Sequence, residues 1–211
     1  MLQITDLTFN AWGRKFLEDA SVSLPPGAKV GLVGRNGVGK STLIRTIMGI
    51  VRPRAGRVEV AGRDLAGSAP HRIARRGVAY VPQDEPLFDE LTVRANLEIV
   101  LPRRAQLQQR GERAFSLFPV LAERLSQKAG TLSGGERKML MMARVLLQNP
   151  KVVLLDEVTE GVQPSVVALI GAAIQEERRR GASVLLVEQK IDFALACAER
   201  VLVMKHGEIV A

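Results

Sequence analysis

The sequence predicts an α/β fold in which a mostly parallel sheet is covered by helices on both faces. Short apolar strands alternate with helical patterns. Three predicted strands are each followed by a predicted helix: 29–33 by 40–48, 152–155 by 165–180, and 183–187 by 191–198. Strands that are connected through helices pair in parallel. The remaining predicted elements are strands at 2–9, 57–60 and 77–81, a helix at 133–147 and a closing hairpin at 200–210.

A long stretch in the middle of the chain differs from this alternation. Residues 91–128 are charged, with apolar side chains at helical spacing, and are interrupted by Pro102 and Pro119. The pattern predicts an inserted α-helical subdomain. We place its limits at residues 84–147, so that residues 1–83 and 148–211 form the core of a single domain over 1–211.

The composition limits the classes of function. The 211 residues include 30 Lys and Arg against 22 Asp and Glu, which leaves a net charge of +8. A basic chain favours nucleic acid or an anionic membrane surface as a partner. Only 4% of the residues are aromatic, whereas grooves for single-stranded nucleic acid stack bases on aromatic side chains. We therefore expect no nucleic-acid partner and assign the basic clusters to solvated faces, some of them beside an anionic membrane leaflet.

The sequence also indicates a compartment. The single cysteine, Cys197, is typical of a reducing environment. The longest apolar run, at residues 166–174, is far shorter than a membrane-spanning helix. The first residues alternate apolar and polar side chains, unlike the basic and then apolar start of a signal peptide. We expect a chain that neither crosses a bilayer nor is exported.

A glycine-rich segment between the strand at 29–33 and the following helix matches the pattern G-x-x-x-x-G-K-[ST]. Its glycines allow backbone N–H groups and the helix N-terminus to surround a polyphosphate. Lys40 is expected to reach the terminal phosphates, and the Ser41 hydroxyl to bind Mg²⁺. A turn that only caps a helix would need no more than Ser41 or Thr42. The predicted ATP-binding loop consists of Gly34, Arg35, Asn36, Gly37, Val38, Gly39, Lys40, Ser41 and Thr42.

Two consecutive carboxylates, Asp156 and Glu157, follow the apolar strand at residues 152–155. In α/β sheets, ligands bind at the carboxyl ends of the strands. Asp156 is therefore expected to orient Mg²⁺ or its water shell. Glu157 is the candidate general base or water-positioning group for attack on the terminal phosphate.

A third motif, at residues 132–136, precedes the helix at 137–147. Ser133 and Glu136 form a predicted capping box, and between them stand Gly134 and Gly135, which carry an entropic cost at a helix start. That cost is understandable if a phosphate of another molecule approaches the backbone closely. In combination with the glycine-rich loop and the Asp-Glu pair, this order of motifs resembles the ABC-type ATPases over essentially the whole chain.

The resemblance implies an N-terminal antiparallel β subdomain beside the parallel core and the helical insertion, and it implies roles for further residues. Trp12 looks like the aromatic that stacks on adenine, with Phe9 as a rival. Gln83 matches the glutamine that senses the terminal phosphate and connects the two subdomains. It is expected to bind Mg²⁺ together with Ser41 and Asp156. Ser133, Gly134, Gly135 and Glu136 match the segment that completes the ATP site of a second ATPase subunit, identical or different. Gln189 matches a histidine that contacts the terminal phosphate, so the expected catalytic residues are Lys40, Glu157 and Gln189.

The chain departs from the family pattern at three positions. Val158 stands where the family usually has Pro, Gln163 where it has Asp, and Gln189 where it has His. Glutamine donates a hydrogen bond to phosphate but cannot gain a charge near neutral pH. A weakly hydrolysing regulatory module therefore remains an alternative. A soluble ABC protein that acts on nucleic acid or ribosomes is a more distant one.

The ending of the chain resembles one subgroup of ABC ATPases. The segments Thr-Glu-Gly-Val-Gln-Pro at 159–164 and Val-Glu-Gln at 187–189 are similar to ATPase subunits of bacterial branched-chain amino acid and urea importers, and closer to the urea type. The resemblance implies ATP and Mg²⁺ as cofactors, two membrane permeases, a periplasmic solute-binding protein, and a peripheral position on the cytoplasmic face of the inner membrane. A groove around Leu87, Phe88 and Leu91 would receive a permease helix, unless these side chains only seat the helical insertion.

Overall fold

The computed structural model describes residues 1–11, 14–84, 86–103 and 106–210. The strands are β1 (Leu2–Ala11), β2 (Arg14–Leu24), β3 (Lys29–Val33), β4 (Ala55–Val60), β5 (Arg63–Asp64), β6 (Val78–Val81), β7 (Val152–Asp156), β8 (Ser183–Glu188), β9 (Arg200–Lys205) and β10 (Glu208–Ile209). They form a six-stranded sheet in the order β10-β9-β3-β8-β7-β6 and a four-stranded sheet in the order β2-β1-β4-β5.

The six-stranded sheet confirms the predicted α/β fold. Its strands β3, β6, β7, β8 and β9 are all parallel, and β10 returns antiparallel in the predicted hairpin. Every residue of β3, β7 and β8 is buried, because helices cover both faces of the sheet and the strands are apolar nearly throughout.

The helices fall into two groups. Those beside the two sheets are α1 (Lys40–Ile47), α2 (Pro70–Arg75), α8 (Pro164–Arg179) and α9 (Ile191–Cys197). Those between β6 and β7 are α3 (Val93–Glu98), α4 (Leu107–Arg110), α5 (Glu112–Leu117), α6 (Pro119–Glu123) and α7 (Gly134–Gln148). Four short α-helices thus occupy the described part of the stretch that the sequence marked as helical, and Pro119 begins one of them because its ring fits the first turn of a helix.

The four-stranded antiparallel sheet contains a long strand, β2, that the sequence pattern did not indicate. Ala20, Val22 and Leu24 are buried in alternation, but the next buried side chain is Leu17. A β-bulge at Asp19, whose φ is 45°, displaces the pattern by one residue. A strand is predicted from the alternation of apolar and polar residues, and the bulge interrupts that alternation. The sequence pattern therefore did not predict β2.

A buried carboxylate lies between α8 and the helices that precede β7. The side chain of Glu177 in α8 is 1% exposed, and its Oε1 lies 3.5 Å from Nη1 of Arg113 in α5. Arg113 also donates to the Leu146 carbonyl oxygen of α7, at 2.8 Å. The second carboxylate oxygen of Glu177 accepts no hydrogen bond from any residue that the structure describes. Burial raises the pKa of Glu177 to about 7, although the positive charge of Arg113 opposes the shift.

We predict that Glu177→Gln stabilises the protein at alkaline pH. The pKa of Glu177 is higher in the folded chain than its ordinary value of 4.5, so its contribution to the free energy of unfolding is present below pH 4.5 and is lost as the pH rises through about 7. A glutamine escapes that loss. The variant should gain on the order of 2 kcal/mol over the wild type between pH 5 and pH 8, measured by urea unfolding.

The neighbouring Glu176 supplies the control. It is partly exposed and pairs with Arg179 on the helix surface, at 2.8 Å. Glu176→Gln should therefore give a difference from the wild type that hardly changes with pH. Parallel pH curves for Glu177→Gln and the wild type would contradict the prediction.

Candidate functional site

The carboxyl ends of four parallel strands lie side by side and carry the predicted functional side chains. Val33 at the end of β3 pairs with Glu188 at the end of β8, and Asp156 at the end of β7 pairs with Val187. Val81, at the end of β6, pairs with Leu155. The segments that follow these strands therefore begin at the same edge of the sheet.

The glycine-rich loop after β3 lies against the backbone of other strands. A Cβ atom on Gly39, whose φ is 114°, would lie 2.2 Å from the Phe16 carbonyl oxygen, and one on Gly34 would lie 2.5 Å from that of Met204. The Gly207 N–H also donates to the Val38 carbonyl oxygen, at 2.8 Å. These positions require glycine because no side chain fits there.

Helix α1 begins at Lys40, within the last residues of this segment. No side chain among the described residues caps its N-terminus, and its first turn contains no acidic residue. The positive end of the helix thus remains available to an anion.

Lys40 is buried at the centre of the site, with 3% of its surface exposed. Its ammonium donates to the carbonyl oxygens of Gly34 and Arg35, at 2.7 and 3.0 Å. It also lies 3.6 Å from Oε1 of Glu157, which is buried as well. The charge of this buried ammonium is therefore compensated by its own loop and by the predicted catalytic carboxylate.

Asp156 is held from two sides. Its Oδ1 accepts a hydrogen bond from the Ser41 hydroxyl at 3.0 Å, and its Oδ2 lies 3.5 Å from the Tyr80 hydroxyl. Burial raises the pKa of Asp156, while the Ser41 hydrogen bond lowers it. Burial, with the Asp156 charge, raises the pKa of Tyr80 to about 12. The sequence did not indicate Tyr80, which lies one strand away from Asp156.

Glu157 occupies a strained backbone position. Its φ is 49°, in the left-handed region that non-glycine residues rarely adopt. Its N–H donates to the Val187 carbonyl oxygen at 2.9 Å, and its Oε2 accepts a hydrogen bond from the Gln189 side chain at 2.8 Å. Gln189 therefore contacts the predicted catalytic carboxylate directly.

Gln83 lies just after β6 and is bonded from two directions. Its side-chain amide donates to Oε2 of Glu160 at 2.7 Å. Its backbone carbonyl oxygen accepts a hydrogen bond from the ammonium of Lys138, a buried residue of α7, at 3.1 Å. Gln83 thus connects the site with the loop after Glu157 and with helix α7.

The motif at residues 133–136 forms the predicted capping box at the start of α7. The Ser133 hydroxyl accepts from the Glu136 N–H at 3.3 Å, and the Ser133 N–H donates back to the Glu136 carboxylate at 2.9 Å. Burial opposes ionisation of Glu136, but the bonds from Ser133 and the charge of Arg124 lower its pKa overall. A Cβ atom on Gly134 would meet open space, whereas one on Gly135 would lie 3.0 Å from Val166. The exposed backbone at Gly134 is accessible to another molecule.

A cavity of about 200 Å³ brings much of the predicted site together. Phe16 of β2 contributes an aromatic ring that sequence reasoning missed, since β2 itself was not predicted. Phe9 instead packs against the core and lies 6.0 Å from the Phe16 ring. Trp12 lies outside the described residues. The cavity is lined by Phe16, Asn36, Gly37, Gly39, Lys40, Ser41, Thr42, Gln83 and Glu157.

The oxygen atoms beside the cavity suit Mg²⁺. A hydroxyl and a carboxylate, from Ser41 and Asp156, lie 3.0 Å apart. In the described part of the chain no three His, Cys, Asp or Glu side chains converge on one point. Mg²⁺ in nucleotide sites takes one or two protein oxygens, and phosphates and water supply the rest. The donor set therefore fits this ion.

Comparison with known proteins decides the family. A family model described as ABC transporter matches residues 17–160. The chain belongs to the ABC transporter family. It is an ATP-binding subunit whose ATPase activity is coupled to transport. ATPase subunits of this family form dimers and work with permease partners.

Two relatives illustrate the range of ABC transporter subunits that the chain resembles. It is 39% identical over 196 residues to the high-affinity branched-chain amino acid transport ATP-binding protein BraG of Pseudomonas aeruginosa, with 92% of this chain and 84% of BraG covered. It is 38% identical over 203 residues to the lipopolysaccharide export system ATP-binding protein LptB of Escherichia coli K12, with 94% and 84% covered.

Solved ABC structures agree with the fold. The ATP binding subunit of an ABC transporter superimposes with a TM-score of 0.90 at 28% identity, covering 100% of this chain and 88% of that one. An ATP-binding cassette in its ADP conformation gives a TM-score of 0.85 at 29% identity, covering 100% and 89%. Across the described residues of this ABC subunit, no helix has the length and apolar character needed to span a membrane.

We predict that Gly39→Ala destabilises the nucleotide-free chain by at least about 2 kcal/mol, because a methyl group cannot occupy the space beside the Phe16 carbonyl. The control is Gly37→Ala. The φ of Gly37 is 77°, but a Cβ atom there meets nothing within 4 Å, so only the left-handed conformation is penalised, by about 1 kcal/mol. Urea unfolding of both variants would measure the difference, and equal losses would contradict the steric argument.

Proposed function

We propose that this subunit binds ATP in the cavity at the carboxyl edge of the six-stranded sheet and hydrolyses it through Glu157. The observation that carries the proposal is the buried contact between Lys40 and Glu157, 3.6 Å apart. It places a phosphate-binding cation beside a carboxylate that can orient a water molecule. Gly34 to Thr42 would surround the phosphates with backbone N–H groups, and Phe16, with Trp12, would contact the base.

Phosphate binding would redistribute these contacts. Lys40 now donates to two carbonyl oxygens of its own loop, and the terminal phosphates would replace them as acceptors with full negative charge. Glu157 would then retain the Gln189 hydrogen bond, which keeps its carboxylate at the cavity and free to accept a proton from water. Ser41 and Asp156, with Gln83 turned from Glu160, would hold Mg²⁺. That ion would neutralise charge that develops on the phosphates.

The site would be complete only in a pair of subunits. Gly134 exposes its backbone at the start of α7, and the positive end of this 15-residue helix suits a phosphate of the opposite subunit. Ser133 and Glu136 fix the first turn of α7. We propose that residues 84–147 move as one unit with α7, since Lys138 ties that helix to Gln83.

Glu157→Gln tests hydrolysis. The amide keeps the shape of the side chain but cannot accept the proton of water, so turnover should fall roughly 100-fold or more. ATP affinity should be retained, because the neutral side chain removes a competitor for Lys40. Phosphate release and binding of a fluorescent ATP analogue would measure the two effects.

Glu123→Gln, an exposed change in α6, should leave both quantities unchanged. Retained turnover in Glu157→Gln would remove Glu157 from the proposed role. A wild type that binds ATP but releases almost no phosphate, with or without its sister ATPase, would favour the regulatory alternative.

We further propose that the subunit docks on membrane permeases through the segment after β6, on the cytoplasmic face of a bacterial inner membrane. Phe88 is 51% exposed and Leu91 is 39% exposed. The segment is held by the buried Asn96, whose side chain bonds the Phe88 N–H and carbonyl oxygen, at 3.0 Å each. Leu87 packs against the core instead. A rigid segment with an outward phenylalanine suits a helix of a partner protein.

The proposed solute is a branched-chain amino acid or urea, taken up with the help of a periplasmic binding protein. BraG supports the first, and the segments at 159–164 and 187–189 support the second. Reconstitution with the cognate permeases and binding protein in liposomes should give ATP-dependent uptake of labelled leucine or of labelled urea.

Phe88→Asp should reduce that uptake at least about tenfold, since a charge in an apolar contact is costly. Ile50→Asp, at an equally exposed apolar position elsewhere (54% exposed), should not. Uptake of neither solute, with transport of a lipid in the opposite direction, would favour an LptB-like exporter.

A further inference from the structure

Three consecutive residues, the last residue of β8 and the two that follow it, contact the loop that carries Glu157. The buried Glu188 accepts the Thr159 N–H at 3.1 Å, the Gln189 amide donates to Glu157 at 2.8 Å, and the Lys190 ammonium donates to the Thr159 carbonyl oxygen at 3.2 Å. We call residues 157–161 the Glu157 loop. Residues 188 and 190 thus bind both polar groups of the Thr159 backbone.

Glu188 is an unusual residue for its position. It ends a strand that is apolar in its interior, and it is 2% exposed. Burial raises the pKa of Glu188, while the hydrogen bond from the Thr159 N–H lowers it. Placing a carboxylate there is costly unless its hydrogen bonds matter, because a hydrophobic side chain would pack at the same position without that cost.

The Glu157 loop requires external support. Glu157 is not glycine, yet its φ is 49°. Such a conformation persists only where the surrounding structure imposes it. Thr159, two residues later, is completely buried, and its N–H bonds Glu188 rather than a neighbour in the loop. The conformation at Glu157 therefore depends on contacts from another strand.

We propose that Glu188, assisted by Lys190, is a positioning residue that fixes the Thr159 backbone and thereby directs the Glu157 carboxylate at the cavity. The inference rests on the hydrolytic role proposed for Glu157. Gln189 binds the side chain of Glu157, while Glu188 and Lys190 hold the backbone behind it. Neither of these two residues lines the cavity, so their effect on hydrolysis would pass through the loop.

The test compares two substitutions of Glu188. Gln keeps an oxygen that accepts the Thr159 N–H, whereas Leu fills the space without an acceptor. We expect Glu188→Leu to lower kcat roughly 10- to 100-fold, since small misplacements of catalytic groups have effects of that size. KM for ATP should change less than about twofold, because the segment proposed to surround the phosphates, Gly34 to Thr42, lies outside the Glu157 loop. Glu188→Gln should stay near the wild type in both.

Hydrogen exchange supplies a readout that does not need activity. In the nucleotide-free full chain, amides of residues 157–161 should exchange at least about tenfold faster in Glu188→Leu than in the wild type or Glu188→Gln, because the Thr159 amide has lost its acceptor. Lys190→Met, at an exposed position, should also accelerate amide exchange at residues 157–161, but by a smaller factor. It also tests the inference if Glu188→Leu does not fold.

Ser183→Ala is the matched control. It lies in the same strand and removes a hydrogen bond of 2.7 Å from its hydroxyl to the Pro25 carbonyl oxygen, at the opposite end of β8. It should lower stability without changing kcat or exchange at 157–161.

Unchanged exchange in both Glu188→Leu and Lys190→Met would overturn the inference. So would fast exchange with unchanged kcat, or a loss in Glu188→Gln as large as in Glu188→Leu. A wild type without turnover would contradict the proposed function, and the exchange comparison would still support or overturn the contact itself.

Discussion

The parallel register of β3, β8, β7 and β6 is the constraint on which the site depends. Because the four strands end level with one another, the segments that follow them start within contact distance. Lys40, Asp156, Gln189 and Gln83 come from four different segments, and no pair of them is close in sequence. A shift of one strand by one residue would turn its side chains to the other face and separate the group.

Within that arrangement, charge balance organises the chemistry. The buried Lys40 pairs with the buried carboxylate of Glu157, at 3.6 Å, and donates to two carbonyl oxygens of its own loop. In the proposed function, the phosphates of ATP would replace those carbonyl oxygens as acceptors with full negative charge. The Glu157 carboxylate is held at the cavity by the Gln189 amide, at 2.8 Å.

Polar contacts also connect the site with the rest of the molecule. Lys138 of α7 reaches Gln83, and Arg113 of α5 reaches both Glu177 of α8 and the end of α7. The first contact connects α7 with the segment after β6, and the others connect α5 with α7 and α8. They specify position more strictly than apolar packing alone. A buried polar contact has a defined partner and distance, so a displacement at Gln83 has a direct path to helix α7.

The sequence by itself determined the alternation of strands and helices, the glycine-rich loop, the Asp-Glu pair and the capping box, because each depends on neighbours within a few residues. Through the resemblance to a family it also predicted roles for Gln83 and Gln189, and those roles stay predictions. Only the tertiary structure revealed Phe16, Tyr80 and Glu188. The bulge at Asp19 concealed β2, Tyr80 meets Asp156 on the adjacent strand β7, and Glu188 meets Thr159 in the loop after β7. Contacts across a sheet follow from register, and register is decided by packing of the whole chain rather than by any local pattern.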